Sequence, residues 1–234
     1  MPATGVLRKL EAMLIDDYVA GLNRALEGPG GPKRDLVVEA RDSLVDTAEA
    51  YEEAGLGRLE AERLAVEEFG ELREIAPGYQ RELTATAGRR LAALLFVSVP
   101  LTTLLWSLIW AFFPVNADDW ANRPEWFLPV ARALDLFHLA TGVLGGLTLL
   151  ALTWGARWLR RPERATRLLA VWVWAMLPVT LLFSAALQYG SQGPTGFSGF
   201  LPGMLLSLTT PLLNGLQLYC AARCLRLTRR PRPA

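Results

Sequence analysis

The feature that most constrains this chain is a set of uncharged apolar runs too long for an ordinary core helix. Leu91 to Phe113 holds no charged residue, and neither does Leu168 to Ala222. A third run, Leu136 to Ala156, carries His138 as its one titratable group. About 20 residues of helix cross the hydrocarbon core of a bilayer. The stretch 168–222 is too long for one crossing, and Gly190-Ser191-Gln192-Gly193-Pro194-Thr195-Gly196 interrupts it with turn-forming residues. The pattern predicts four spans at about 91–113, 132–156, 168–189 and 200–223. Buried helices of a soluble core are the alternative, but four such runs with charged borders disfavour it.

Charge divides the chain in the same place. Residues 1–90 carry a net charge of −6 and residues 91–234 a net charge of +7, so the overall +1 hides two opposed halves. That asymmetry implies two environments. No apolar segment precedes Leu91, so residues 1–88 are expected to form a cytoplasmic domain. A four-span region over 89–228 and a basic cytoplasmic tail over 229–234 follow. Arginines set the expected orientation. Arg81, Arg89 and Arg90 precede the first span, Arg157, Arg160, Arg161, Arg164 and Arg167 link the second to the third, and Arg223, Arg226, Arg229, Arg230 and Arg232 follow the fourth. These clusters share one side only if both termini are inside. Trp110, Trp120 and Trp126 then fall near the outer face, and Trp154 and Trp158 near the inner one.

The hydrophilic part reads as three to four short helices. The first, about Arg8 to Glu27, has Leu10, Leu14, Tyr18, Leu22 and Leu26 at helical spacing. Gly28-Pro29-Gly30-Gly31-Pro32 breaks the chain. The second, about Lys33 to Ala54, has Leu36, Ala40, Leu44, Ala48 and Tyr51 on one face and Gly55 as C-terminal cap. The third, about Leu59 to Phe69, turns Leu64, Ala65 and Phe69 inward and ends at Gly70. A fourth begins near Glu71 and leads towards the first span, with Pro77 expected to shape or end it.

The stretch Tyr18 to Leu83 resembles the HAAS domain, also called permease prefix domain 1. The resemblance rests on the acidic helix Glu39–Asp46 with Leu44, the break at Gly55, Glu60-Ala61-Glu62 leading to Ala65 and Val66, and Phe69-Gly70 followed by Ile75-Ala76. Members of that family often carry Asp-Pro after the glycine, where this chain has Glu71-Leu72. The resemblance, over about residues 8–83, implies a bacterial protein of the cell membrane, in which the domain is fused to membrane spans or a permease. It implies a signalling or regulatory accessory role beside a PadR-like transcription regulator, and it supplies no catalytic residue.

Candidate chemistry is sparse. Arg132, Asp135 and His138 follow one another at i, i+3 and i+6 near the outer start of the second span. Ionisable groups at membrane depth are costly and are functional candidates by default. A proton relay, a ligand contact or a metal pair stands against an interfacial Arg132–Asp135 pair with His138 bonded to a neighbouring helix. Asn214 and Gln217 in the fourth span, with Gln188 at the end of the third, could line a polar cavity or serve as interhelical hydrogen-bond glue. Gly142 and Gly146, with Gly145 between them, suggest close helix packing within the chain or between copies. Pro100, Pro178 and Pro211 lie inside spans. Cys220 and Cys224 read either as small buried residues or as palmitoylation sites. The acids Glu49, Glu52, Glu53, Glu60, Glu62, Glu67, Glu68, Glu71 and Glu74 form an expected exposed surface, with Glu49, Glu52, Glu53, Glu60, Glu67 and Glu68 the candidate docking set for a protein partner. Their sign argues against direct nucleic-acid binding.

The expectation is an all-α protein, a small cytoplasmic helical domain on a four-helix membrane bundle. It is not expected to be an enzyme or to hold a cofactor or metal, because no phosphate loop, nucleophile elbow or metal-ligand cluster is found. Its partners would be membrane lipid, a cytoplasmic protein and, in some arrangements, further copies of itself. A small permease or permease subunit is the alternative function.

Overall fold

The computed structural model describes residues 13–112, 123–154, 162–190 and 201–228. These residues are all-helical, with no strand among them: α1 (Met13–Ala25), α2 (Gly30–Glu53), α3 (Arg58–Phe69), α4 (Leu72–Phe112), α5 (Phe127–Thr153), α6 (Pro162–Gly190) and α7 (Leu201–Thr228). The chain divides into two compact units, Met1–Thr86 and Ala87–Ala234, with the division inside α4.

In the first unit the apolar stripes close on one another in two clusters. Ile15, Tyr18, Leu44, Ala48 and Ala65 form one. Leu22, Leu26, Ala40 and Leu83 form the other, with Leu72 and Phe69 touching both. Burying each leucine stabilises by roughly 1.5–3 kcal/mol. The expected stripe on α1 holds at Tyr18, Leu22 and Leu26, which are buried, but at its start Leu14 is 39% exposed and Ile15 takes the inward position. Gly21 lets the Leu72 methyl approach to 2.8 Å of where a Cβ would stand. Leu10 lies outside the described residues.

Helix ends follow local chemistry. After α2, Gly55 adopts φ 97° and closes a Schellman turn, its N–H donating to Glu52 O at 2.9 Å and the Leu56 N–H to Tyr51 O at 3.2 Å. Gly70, at φ 103°, ends α3, and the Tyr18 hydroxyl donates to its carbonyl at 2.8 Å. The break after α1 is clamped by Gln80, which accepts from Glu27 N–H at 2.9 Å and donates to Glu27 O at 2.8 Å. Two prolines break less than expected. α2 starts at Gly30 rather than Lys33, because Pro32 sits in the first turn, where no backbone donor is required. α4 runs through Pro77, losing one bond to the Arg73 carbonyl and continuing.

In the second unit α4, α5 and α6 are long and apolar enough, by length and composition, to cross a membrane. α7 is as long but carries Thr209, Thr210, Pro211, Asn214 and Gln217 in its middle. The core is built from Leu91, Ala92 and Leu95 of α4, Leu169 and Val173 of α6, and Ala221 and Cys224 of α7. Large apolar side chains elsewhere point outward, including Leu104 and Phe112 on α4, Leu136 and Leu147 on α5, Leu182 on α6 and Leu212 on α7. Soluble monomers rarely expose so much contiguous apolar surface.

The glycines of α5 explain the close crossing of α4 and α5. A Cβ at Gly145 would stand 3.1 Å from Ala92 O and 3.2 Å from Phe96 N, and one at Gly146 would stand 2.8 Å from the Phe96 ring. Gly142 meets the Pro100 ring. The small-residue motif is thus spent inside the chain. Gly88 of α4 likewise abuts Thr166 of α6 and Leu152 of α5. The helices continue through Pro100, Pro178 and Pro211. Near them the Thr103, Thr180 and Thr210 hydroxyls donate to the Val99, Met176 and Leu206 carbonyls of the preceding turn.

Candidate functional site

Two sets of residues were singled out for chemistry, and each lies within one unit. In the second unit α5 carries Arg132, Asp135 and His138. Arg132 and Asp135 are exposed and His138 is half-buried. Among the described residues no ion pair joins Arg132 to Asp135. Asn214 and Gln217 are half-buried on α7. The Gln217 amide donates to Ser98 Oγ of α4 at 2.9 Å, and Ser98 passes its own proton to the Leu94 carbonyl. That arrangement ties α4 to α7 through a satisfied hydroxyl. Gln188 has no described side chain.

A second polar tie escaped the sequence. Trp172 Nε1 of α6 donates to Thr141 Oγ1 of α5 at 3.1 Å, while the Thr141 hydroxyl lies 2.9 Å from the Phe137 carbonyl that takes its proton. The Phe137 and Trp172 rings stack at a tilt, with centroids 5.6 Å apart. A threonine and a tryptophan 31 residues apart carry no sequence signal for each other. Two helix pairs, α4 with α7 and α5 with α6, are thus tied by side-chain hydrogen bonds, and among the described residues no cluster of His, Cys, Asp and Glu could hold a metal. Cys224 is buried and Cys220 half-buried, both free, on successive turns of α7.

In the first unit the candidate acids divide into engaged and open ones. Arg63 donates to Glu60 at 2.7 Å and to Glu67 at 2.9 Å along α3. The bond from Arg63 holds the Glu60 carboxyl below its ordinary range. Glu68 accepts from the Tyr51 hydroxyl at 2.8 Å, which pushes that phenol above its ordinary range. Glu62 is a correction to the expected surface. It is buried, with its side chain 6% exposed, and one oxygen receives Arg58 Nε at 3.2 Å. Its other oxygen has no hydrogen-bond partner among the described residues. It therefore belongs to the packing of α3 and presents no charge to a partner. Glu49, Glu52 and Glu53 stand exposed on the last turns of α2, as do Glu71 and Glu74 near the start of α4.

α2 also carries exposed acids that the docking set omitted. Asp35, Glu39, Asp42 and Asp46 line a groove of about 1070 Å³ together with Val38, Ala50, Ala54 and, from α3, Glu68. Their helical spacing is visible in the sequence, but only the fold shows that no described residue covers this face of α2.

In the second unit Gln217, Ser98, Trp172 and Thr141 make structural hydrogen bonds, and the first unit presents exposed acids. No protein-family model, no curated protein and no solved structure matches this chain.

Proposed function

We propose that this chain is a membrane-embedded signalling or regulatory accessory protein whose acidic helical unit docks a protein partner in the cytoplasm. In this reading α7 crosses the bilayer with α4, α5 and α6, and both termini lie inside. The arginine clusters at Arg81 to Arg90, Arg157 to Arg167 and Arg223 to Arg232 support that orientation. The polar middle of α7 is tolerable at membrane depth because Gln217 is satisfied by Ser98. The observation that carries the reading is the exposed acidic face of the first unit, joined within a single helix to a span that presents leucines outward. Negative surface is repelled from anionic lipid and from nucleic acid, so it remains free for a cationic protein. The resemblance to the HAAS domain makes a PadR-like transcription regulator the partner of choice.

The test is capture from membranes of a regulator encoded beside this gene, together with its target transcripts after deletion of the chain. Co-purification and altered transcription support the reading. Membranes that retain no such regulator, with unchanged transcripts, overturn it. A small permease or permease subunit ranks second. It draws on Asp135, His138, Asn214 and Gln217, yet Gln217 is engaged with Ser98 and Asp135 is exposed on α5.

A further inference from the structure

The row of acids on α2 runs further than the groove. Asp35, Glu39, Asp42, Asp46, Glu49 and Glu53 fall at i, i+4, i+7, i+11, i+14 and i+18, and all six are exposed. At 3.6 residues per turn these positions stay within a narrow strip along the helix. No basic residue interrupts the strip. Like charges three and four residues apart destabilise a helix. Acids in its last turn also oppose the helix dipole, and α2 has no basic residue there to offset them. Neighbouring acids are neutralised in place, Asp16 by Arg41, Glu62 by Arg58, and Glu60 and Glu67 by Arg63. Among the described residues no ion pair does the same for the strip. Arg41, Arg58 and Arg63 are paired with acids off the strip, and the strip bears a repulsion that a cationic partner would remove.

The groove supplies the apolar half of a binding surface. Val38 is 48% exposed beside Asp35, Glu39 and Asp42, and Ala50 and Ala54 continue the lining. Among the described residues Arg34 is the one basic residue lining it. We infer that this groove docks a cationic amphipathic helix from a protein partner. The partner's Arg or Lys side chains would pair with the acid strip, and its apolar edge would lie on Val38. The inference rests on the partner-docking reading above and relocates the contact, with Glu49 and Glu53 at one end of the strip and Glu60 and Glu67 off it. A helix is the matching shape because the acids repeat at helical spacing over five turns.

The test uses the full chain in zwitterionic nanodiscs. The probe is a synthetic amphipathic helix with Arg at i, i+4, i+7 and i+11 and leucines along the adjoining edge, set against a scrambled peptide of equal composition. The variant Asp35→Asn/Glu39→Gln/Asp42→Asn/Asp46→Asn is compared with a control neutralised off the strip, Glu60→Gln/Glu67→Gln/Glu71→Gln/Glu74→Gln. Removing four exposed pairs is expected to weaken the patterned peptide about tenfold to a hundredfold. The control should change it by less than about threefold, and Val38→Ser should weaken it without changing its salt dependence. Circular dichroism should show the strip variant folded and no less heat-stable, since it loses like-charge repulsion. Equal binding of the scrambled peptide, equal loss in the control, or an unchanged affinity in the strip variant would each overturn the groove. Captured regulator with no peptide binding removes the groove and leaves the docking reading standing. Peptide binding with no captured regulator does the reverse.

Discussion

Gly88 gives the sharpest test of how the membrane unit packs. A Cβ built there overlaps Thr166 Oγ1, with Leu152 Cδ1 and Thr166 Cγ2 both 3.0 Å away. Thr166 is fully buried, so its side chain has no open space to retreat into. Overpacking a tight contact costs about 1–3 kcal/mol. Replacing a mid-helix glycine by alanine returns up to about 1 kcal/mol of helix propensity. Gly88→Ala should therefore destabilise the chain by about 1–2 kcal/mol net. The partner change is informative because Thr166 Oγ1 has no hydrogen-bond partner among the described residues. Thr166→Ala forfeits packing but no bond, and should cost less than about 1.5 kcal/mol. Once the hydroxyl and methyl are gone, the added Cβ of Gly88→Ala has room. The double variant should be no worse than Thr166→Ala alone, a coupling of about 1–2 kcal/mol between contacting sites. Reversible unfolding of all four proteins in one detergent, by steric trapping or denaturant titration, reads the cycle. A Gly88→Ala protein as stable as the parent, or costs that simply add, would refute the packing argument.

Three further outcomes follow from the same geometry. Gly215 has no heavy atom near a hypothetical Cβ, so Gly215→Ala should be neutral or mildly stabilising in that detergent assay, in contrast to Gly145→Ala. Gln217→Leu should cost on the order of 0.6 kcal/mol, the typical worth of a hydrogen bond between membrane helices, and Ser98→Ala/Gln217→Leu should add little more. Burial, then the neighbouring Tyr79, raises the Tyr18 phenol above 10.0; burial, then Glu39 and Glu82, raises Tyr79; and the Glu68 bond raises Tyr51. A raised folded value favours the protonated phenol, so this stability is complete below the unfolded value near 10 and is lost as pH climbs through the folded values. The melting temperature followed by circular dichroism should fall as pH rises above about 10, and less steeply for Tyr18→Phe/Tyr51→Phe/Tyr79→Phe.

Much of the fold was legible because its signals are local. Ala40, Leu44 and Ala48 repeat every four residues and are buried as a stripe. Gly55 and Gly70 sit where a helix must reverse, and both take positive φ. The long uncharged runs read directly as helices that need an apolar solvent. What escaped depends on residues distant in sequence. Leu14 and Ile15 are equally plausible on a wheel, and only the fold shows Ile15 packed with Leu44, Ala48 and Ala65. Glu62 looks like any surface acid until packing encloses it. Pro32 looks like part of a break and Pro77 can shape or end a helix, but a proline in a first turn costs little and α4 continues past the one bond lost at Pro77. The Gly142–Gly146 motif left its partner open, and only the structure shows Phe96 and Pro100 against it. Which acids share an open face is hidden for the same reason: the sequence lists acids, whereas the fold shows which face of α2 is left open by the described residues.

The membrane placement itself is tested most directly by accessibility in intact cells. In a background lacking Cys220 and Cys224, single cysteines are introduced as Ala3→Cys, Asp119→Cys, Ser198→Cys and Ala234→Cys, and treated with a membrane-impermeant maleimide. The account predicts labelling at positions 119 and 198 in intact cells, and at 3 and 234 only after permeabilisation. Labelling of either terminus from outside, or recovery of the chain in the soluble fraction without detergent, would contradict it.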